Sequence, residues 1–406
     1  MTGAGGGGLD SAERDCLAGI AQEPILARVL DWAAVNSGTA NLAGLAQIAD
    51  MLAEAFAALP GDITLREPAS VERVNAQGRI EPVECGRHLV LRVRPDAQRR
   101  VLLTGHMDTV YAADHPFQAC DWLDQETLHG PGTADMKGGL SLMLDGLLAF
   151  EETRPSLGYD VMINSDEETG SLSSAALIRE LAQSKLAALT YEPALPSGMM
   201  ARARPGSGNF AATITGRSAH AGRNPQDGRN AVVAAGDLAL RLSQAVRPGL
   251  TVNPAKIDGG GPNNVVPDLA VLRFNMRPAT PELEQDATAA LEALVSAVAA
   301  EHDVSIHLHG GFTRPAKPIT PAADRLFALV SNAAADLGAP IDWSDTGGVC
   351  DGNNIAACGV PVIDTMGARG GAIHSPDEFM SVPSLAERAR LTALVLHRLD
   401  RKGLSQ

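Results

Sequence analysis

Three apolar stretches of this 406-residue chain each stop on groups that a hydrophobic core does not accept unpaired. Residues 101–104 run into Gly105-His106-Met107-Asp108, 161–164 into Ser165-Asp166-Glu167-Glu168, and 186–190 into Tyr191-Glu192-Pro193. Short, continuously apolar runs of this kind read as strands buried on both faces. In an open α/β sheet, ligands gather outside the carboxyl ends of such strands. Three strands that deliver imidazole or carboxylate to that edge point to an α/β sheet built around a polar site. Metal binding is one reason for such groups to be there.

Helical periodicity fills the intervals. Leu42, Leu45, Ile48, Leu52 and Phe56 recur at three- and four-residue spacing over 42–59, 25–35 repeats the pattern, and 136–150 places Leu140, Met143, Leu144 and Leu147 on one face. A further strand is expected at 88–93. From about Gly206 the character changes: strand 210–215, helix 230–246, strands 250–257 and 269–276, helix 281–300 and strand 304–308 follow the β-α-β-β-α-β order of a split ferredoxin-like unit. Arg314-Pro315-Ala316-Lys317-Pro318 reads as the linker back. Helix 322–337, a loop at 346–352, strand 360–364 and helix 384–399 then complete the first unit. The expected organisation is one domain from 1–205 and 315–406, with 206–314 inserted, and the length exceeds what one core usually serves.

The formal net charge of −15 excludes a polyanion partner such as nucleic acid, which needs clustered Lys and Arg. The opening MTGAGGGGLDSAERD lacks the basic start and apolar core of a secretory signal and is expected to be a flexible tail. No apolar segment reaches the length of a membrane span, so no membrane partner is expected. Five cysteines, odd in number and without a CxxC pair, fit a reducing compartment, and the expected location is cytoplasmic.

His106 and Asp108 flank one residue and lie on the same side of an extended chain. If His106 holds a metal, Asp108 is placed to orient it; alone, the pair reads equally as a loop histidine beside a turn aspartate. Asp135 sits in the glycine-rich run 130–139, for which a phosphate cradle is the competing reading. The GxxxxGK[ST] spacing is absent, since Lys137 precedes its glycines. Glu167 and Glu168, usually a solvated pair when met in isolation, point in different directions if they end a strand. One could then bind metal while the other faces a substrate, a division that suits hydrolysis. His374 follows a glycine pair in a late loop; His307 and His309 read as a surface pair, and His115, His129 and His302 receive no role.

Taken in order, His-x-Asp, Gly-x-x-Asp-x-Lys-Gly-Gly, Asp-Glu-Glu-x-Gly, Glu-Pro, Gly-Arg-x-x-His-Ala-Gly and a late His-Ser resemble the co-catalytic dizinc peptidase and deacylase family. That family includes glutamate carboxypeptidase, acetylornithine deacetylase, succinyl-diaminopimelate desuccinylase and aminoacylase. The resemblance covers nearly the whole chain after about residue 20 and is nearest to glutamate carboxypeptidase at 105–111, 163–168 and 191–193. It implies a mixed-sheet α/β exopeptidase-type catalytic domain with an inserted ferredoxin-like lid and dimerisation domain. It further implies two Zn2+ per subunit, replaceable by Co2+, bridged by Asp135, with His106 and Glu192 completing one site and Glu168 and His374 the other.

By the same resemblance Asp108 stands behind His106, the Asp135-Met136 bond is cis, and Glu167 is the general base and then the acid. His220 reaches in from the partner of a homodimer. Asn264 and Arg277 hold the substrate carboxylate, and Arg314 aligns with an arginine linked to a second carboxylate, although it reads equally as a linker residue bonded to backbone. The implied reaction is hydrolysis of the amide bond of a small peptide or N-acyl amino acid, carboxypeptidase-like, with an N-acyl-amino-acid deacylase as the alternative. N-carbamoyl amidohydrolases in the family usually carry histidine in place of Glu192, and a metal-free binding homologue would not need all five ligands. Cys350, in Gly347-Gly348-Val349-Cys350-Asp351, stands where relatives carry Ser or Thr, either as an isostere or as a reactive thiol.

Overall fold

The computed structural model describes residues 8–404. The first seven residues of the expected tail lie outside this range. The remainder is not tail: Ser11–Leu17 is a helix closed by a reciprocal Asp10–Glu13 capping box. Arg398 of the last helix donates to Glu13 at 2.8 Å and ties it down.

The central sheet has six strands in the order Asp62–Arg66, His88–Val93, Gly158–Asn164, Arg100–His106, Ala187–Thr190 and Val362–Ile363. The last four run parallel and His88–Val93 runs against them. The three apolar runs are therefore neighbours, with His106 opposite Asn164 and Thr104 opposite Thr190. Their carboxyl ends lie side by side at one edge. Alternate side chains face opposite sides: Val101, Leu103, Val161 and Leu189 pack under helices Gln22–Ala33, Leu42–Phe56, Gly139–Glu152 and Pro383–Lys402, whereas Leu102, Met162 and Ala188 pack under Ala175–Ala182 and Asp351–Ala356. Coverage of both faces explains why these strands are continuously apolar.

Residues 207–314 form a separate antiparallel sheet in the order Leu250–Gly259, Leu269–Pro278, Ser207–Thr215, Ser305–Arg314. Helices Ala231–Gln244 and Pro281–His302 cover one face around their own core of Ile214, Leu238, Leu272 and Leu291. A hairpin, Val71–Val74 with Ile80–Val83, touches the other face: Val74 packs on Ala211 and Val271, and Arg273 Nη2 donates to the Val74 carbonyl at 2.9 Å. Neither this hairpin nor the strand at Asp62–Arg66 follows from the apolar pattern.

The return linker begins one residue later than expected, because Arg314 ends the last strand and pairs with Ser207. The two crossings run together: the backbones of Arg204 and Lys317 exchange hydrogen bonds, and the Asn353 amide donates to both Pro205 O and Pro315 O at 2.8 Å. Among the described residues no helix is long and apolar enough to cross a membrane.

Candidate metal centre

His106 ends the central strand and is buried to 1% exposure. Its Nδ1 lies 2.9 Å from the Asp108 carbonyl, which leaves Nε2 directed at Asp135 Oδ1, 3.0 Å away. The other oxygen of Asp135 lies 3.2 Å from His374 Nε2, so a single carboxylate stands between two imidazoles. Glu168 Oε2 is 3.1 Å from the same His374 nitrogen, and Glu192 Oε2 is 4.0 Å from His106 Nε2. The ligand atoms of His106, Asp135 and Glu168 lie within 4.8 Å of one another, as do those of His106, Glu167 and Glu192.

The loop carrying Asp135 is organised by a residue given no role above. Glu378 accepts the backbone N–H groups of Gly132, Ala134 and Asp135 at 3.0–3.1 Å and the Tyr111 hydroxyl at 2.8 Å. These are the amides that a phosphate cradle would need, and an internal carboxylate occupies them. Gly132 turns the loop at φ 68°, and the Asp135-Met136 peptide bond is cis. Glu378 lies only four residues after His374, so the one available signal was a buried acid beside a candidate ligand.

Asp108 does more than stand behind His106. Its carboxylate is 3.5 Å from His106 Nδ1, and it accepts the backbone N–H groups of Glu167 and Glu168 at 3.2 Å and the Thr39 hydroxyl at 2.7 Å. Glu167–Thr169 is a 3-10 turn rather than a strand end, and Asp108 binds two of its amides. Asp166, buried, takes three hydrogen bonds from Ser173 and Ser174 and closes the other side of the turn. Glu168 thereby faces His374, and Glu167 faces Arg314.

Carboxylates so close and so little hydrated are costly without a cation. Burial pushes Glu168 up to about 7 against the hydrogen bond from His374. Burial, reinforced by the Glu167 charge, holds Glu192 well above the usual carboxylate range. The hydrogen bonds from His374 to Asp135 and Glu168 raise that imidazole to about 11. Glu192 Oε1 is buried without any hydrogen-bond partner. An orphaned buried carboxylate oxygen next to an imidazole fits a metal ligand, and the oxygen and nitrogen donor set suits a divalent cation such as zinc.

The other expected residues fall into two groups. Arg277 reaches a cavity of about 480 Å³ that also meets Glu167, Glu168 and His374; it bonds Asn275 Oδ1 at 3.0 Å and the Gly347 carbonyl at 2.6 Å. Arg314 borders the same cavity but is buried among protein groups. His220 and Asn264 are exposed in the second unit, on adjoining segments where Ala221 N donates to Asn264 O, and neither lines the cavities beside the carboxylates. His220 Nδ1 accepts two backbone N–H groups at 3.1 Å, which leaves Nε2 as the protonated nitrogen. Cys350 is the N-cap of Asp351–Ala356, its backbone N–H donates to Asn353 Oδ1 at 3.2 Å, and burial pushes its thiol well up.

The pattern of peptidase family M20/M25/M40 matches residues 102–398. The chain belongs to this family. Carboxypeptidase G2 from Pseudomonas sp. (strain RS-16) is 30% identical over 325 residues, 77% of this chain and 76% of that protein. Succinyl-diaminopimelate desuccinylase from Psychrobacter arcticus is 26% identical over 327 residues, 74% of this chain and 78% of the other. The fold is shared with a tripeptidase from Staphylococcus aureus at TM-score 0.75, with 24% identity over 94% of this chain and all of that one. The chain is thus a metallopeptidase or amidohydrolase of a metal-dependent family, and its mixed α/β fold matches that of solved members.

Proposed function

We propose that this chain is a two-zinc hydrolase that cleaves the amide bond of a small peptide or N-acyl amino acid and releases a carboxylate-bearing amino acid, glutamate foremost. The observation that carries the reading is Asp135, whose two oxygens face His106 and His374 while Glu192 and Glu168 stand beside one imidazole each. His106 and Glu192 would hold one ion, Glu168 and His374 the second, and Asp135 both; Co2+ is expected to substitute for zinc. The ions supply Lewis acidity and an acidified water.

The chain's own residues do the rest. Glu167 lines both cavities next to these ligands, takes the proton from the attacking water and returns it to the leaving nitrogen. Asp108 holds that turn in place through its amides. Arg277 offers its guanidinium to the substrate carboxylate from the cavity wall. His220 and Asn264, exposed and away from the site of their own chain, suit a homodimer in which each second unit, acting as a lid, completes the partner's site. A cytoplasmic location goes with this reading.

The test is a rate survey of dipeptides and N-acyl amino acids with zinc or cobalt added, alongside metal analysis. Glu167→Gln is expected to keep fold and metal while turnover falls by roughly 10³-fold or more. Unchanged turnover would remove Glu167 from the role of base. A substrate set confined to N-acyl amino acids would make the enzyme a deacylase, a reading favoured by its desuccinylase relatives.

A further inference from the structure

We infer that Arg314 is a positioning residue for Glu167, fixing the carboxylate of the general base from the hinge of the second unit. This rests on the reading of Glu167 as the base. The side chain of Arg314 is 4% exposed and that of Glu167 10%. Nη1 lies 2.6 Å from Glu167 Oε1, a close ion contact without hydrogen-bond alignment. Nη2 donates to the Glu167 carbonyl at 2.9 Å and to Ser171 Oγ at 3.0 Å, and it lies 3.8 Å from Asp351 Oδ1. One guanidinium therefore grips both the backbone and the side chain of the same glutamate. With Asp108 on the Glu167 N–H, the residue is held at its amide, its carbonyl and its carboxylate.

The guanidinium itself is fixed from behind. Asp351 accepts from Ser171 and from Asn164 Nδ2, the latter at 2.8 Å. Arg314 is the last residue of its strand, between Thr313, whose carbonyl accepts from Asn354, and Pro315, whose carbonyl accepts from Asn353. The short helix Asp351–Ala356 thus fixes both the hinge and the arginine that leaves it. A second carboxylate, from substrate, would have to displace protein partners that are already buried, so Arg314 does not serve as an anchor. A base displaced by about 1 Å loses on the order of 10²-fold in rate, which is why holding it matters.

The test uses the zinc-loaded 406-residue chain and the dipeptide or N-acyl amino acid turned over fastest in the survey above. Arg314→Met is expected to lower kcat by roughly 10²-fold with KM within about threefold, and Arg314→Lys, which keeps the charge but not the fork, to recover part of that loss. In a Glu167→Gln background the same substitutions should cost almost nothing further, because the residue they position is gone. A rise in KM at unchanged kcat, or a loss that multiplies with that of Glu167→Gln, overturns the inference.

A second readout needs no turnover. In metal-free protein, thermal unfolding of Glu167→Gln, Arg314→Lys and the double variant should be non-additive, and additive shifts in Tm would overturn the ion pair. If Glu167→Gln alone retains turnover, the base assignment fails, while the unfolding cycle still decides whether the pair exists.

Discussion

At the scale of single residues the site is a set of imidazoles and carboxylates in direct contact, and their charges set how it responds to pH. His374, raised to about 11 by Asp135 and Glu168, contributes stability to the metal-free fold that is fully present below its ordinary 6.5 and is lost as pH climbs through 11. Glu168, raised by burial to about 7, keeps its proton longer in the folded state, so its contribution also declines as pH rises from 4.5 through 7. On the proposed ligation zinc binding needs both groups deprotonated, and the apparent affinity should climb by about tenfold per pH unit for each proton displaced. The gap in Tm between zinc-loaded and chelator-treated protein is therefore expected to widen from pH 6 to pH 8, with proton release on titration. A constant gap would mean that His374 does not give up a proton to the metal. The groups that meet here, His106, Asp135, Glu168, Glu192 and His374, stand out in the sequence because each follows an apolar run or a glycine turn. Glu378 does not, since its work is to accept three amides that only the folded loop brings together.

Elements were legible in proportion to how much of their pattern is set by burial. The strands Arg100–His106, Gly158–Asn164 and Ala187–Thr190 are buried almost throughout, so their apolar runs mark them; the carboxyl ends at Asn164 and Thr190 match the expected ones, while the central strand runs two residues past Thr104 and takes in His106. The hairpin Val71–Val83 is mostly half-buried or exposed, carries no clean alternation, and owes its pairing to the second sheet it touches. The six-residue helix Asp351–Ala356 starts inside the loop expected at 346–352 and has no counterpart among the expected helices, because its glycine and two asparagines are poor helix formers. Those asparagines are there for the hinge. Asn353→Leu deletes the donor to two part-buried carbonyls, Pro205 O and Pro315 O, and should cost about 1–3 kcal/mol at roughly 0.5–1.5 kcal/mol per lost hydrogen bond. Chemical denaturation should show the loss with metal content unchanged. A variant as stable as the parent would show that the crossings hold each other through the Arg204–Lys317 backbone pair alone.

At the scale of the whole molecule the question is whether one chain contains a complete site. The proposed metal ligands, Glu167 and Arg314 come together within the chain, but His220 and Asn264 are exposed on the second unit. That unit also exposes Val233 and Leu240, seven residues apart on Ala231–Gln244, at 54% and 57%. Apolar side chains left out on one helix face suit contact with a second copy. If His220 serves the partner's site, two inactive variants should complement each other. A dimer of His220→Ala with Glu167→Gln holds one site with an intact Glu167 and an intact partner histidine, and one site with neither. After random 1:1 exchange about half of the dimers are mixed, and each has one working site of two, so about a quarter of parental activity should return. Each variant alone stays near background. If His220 served its own chain, every site in the mixture would lack one group or the other, and exchange verified by differently tagged subunits would restore nothing.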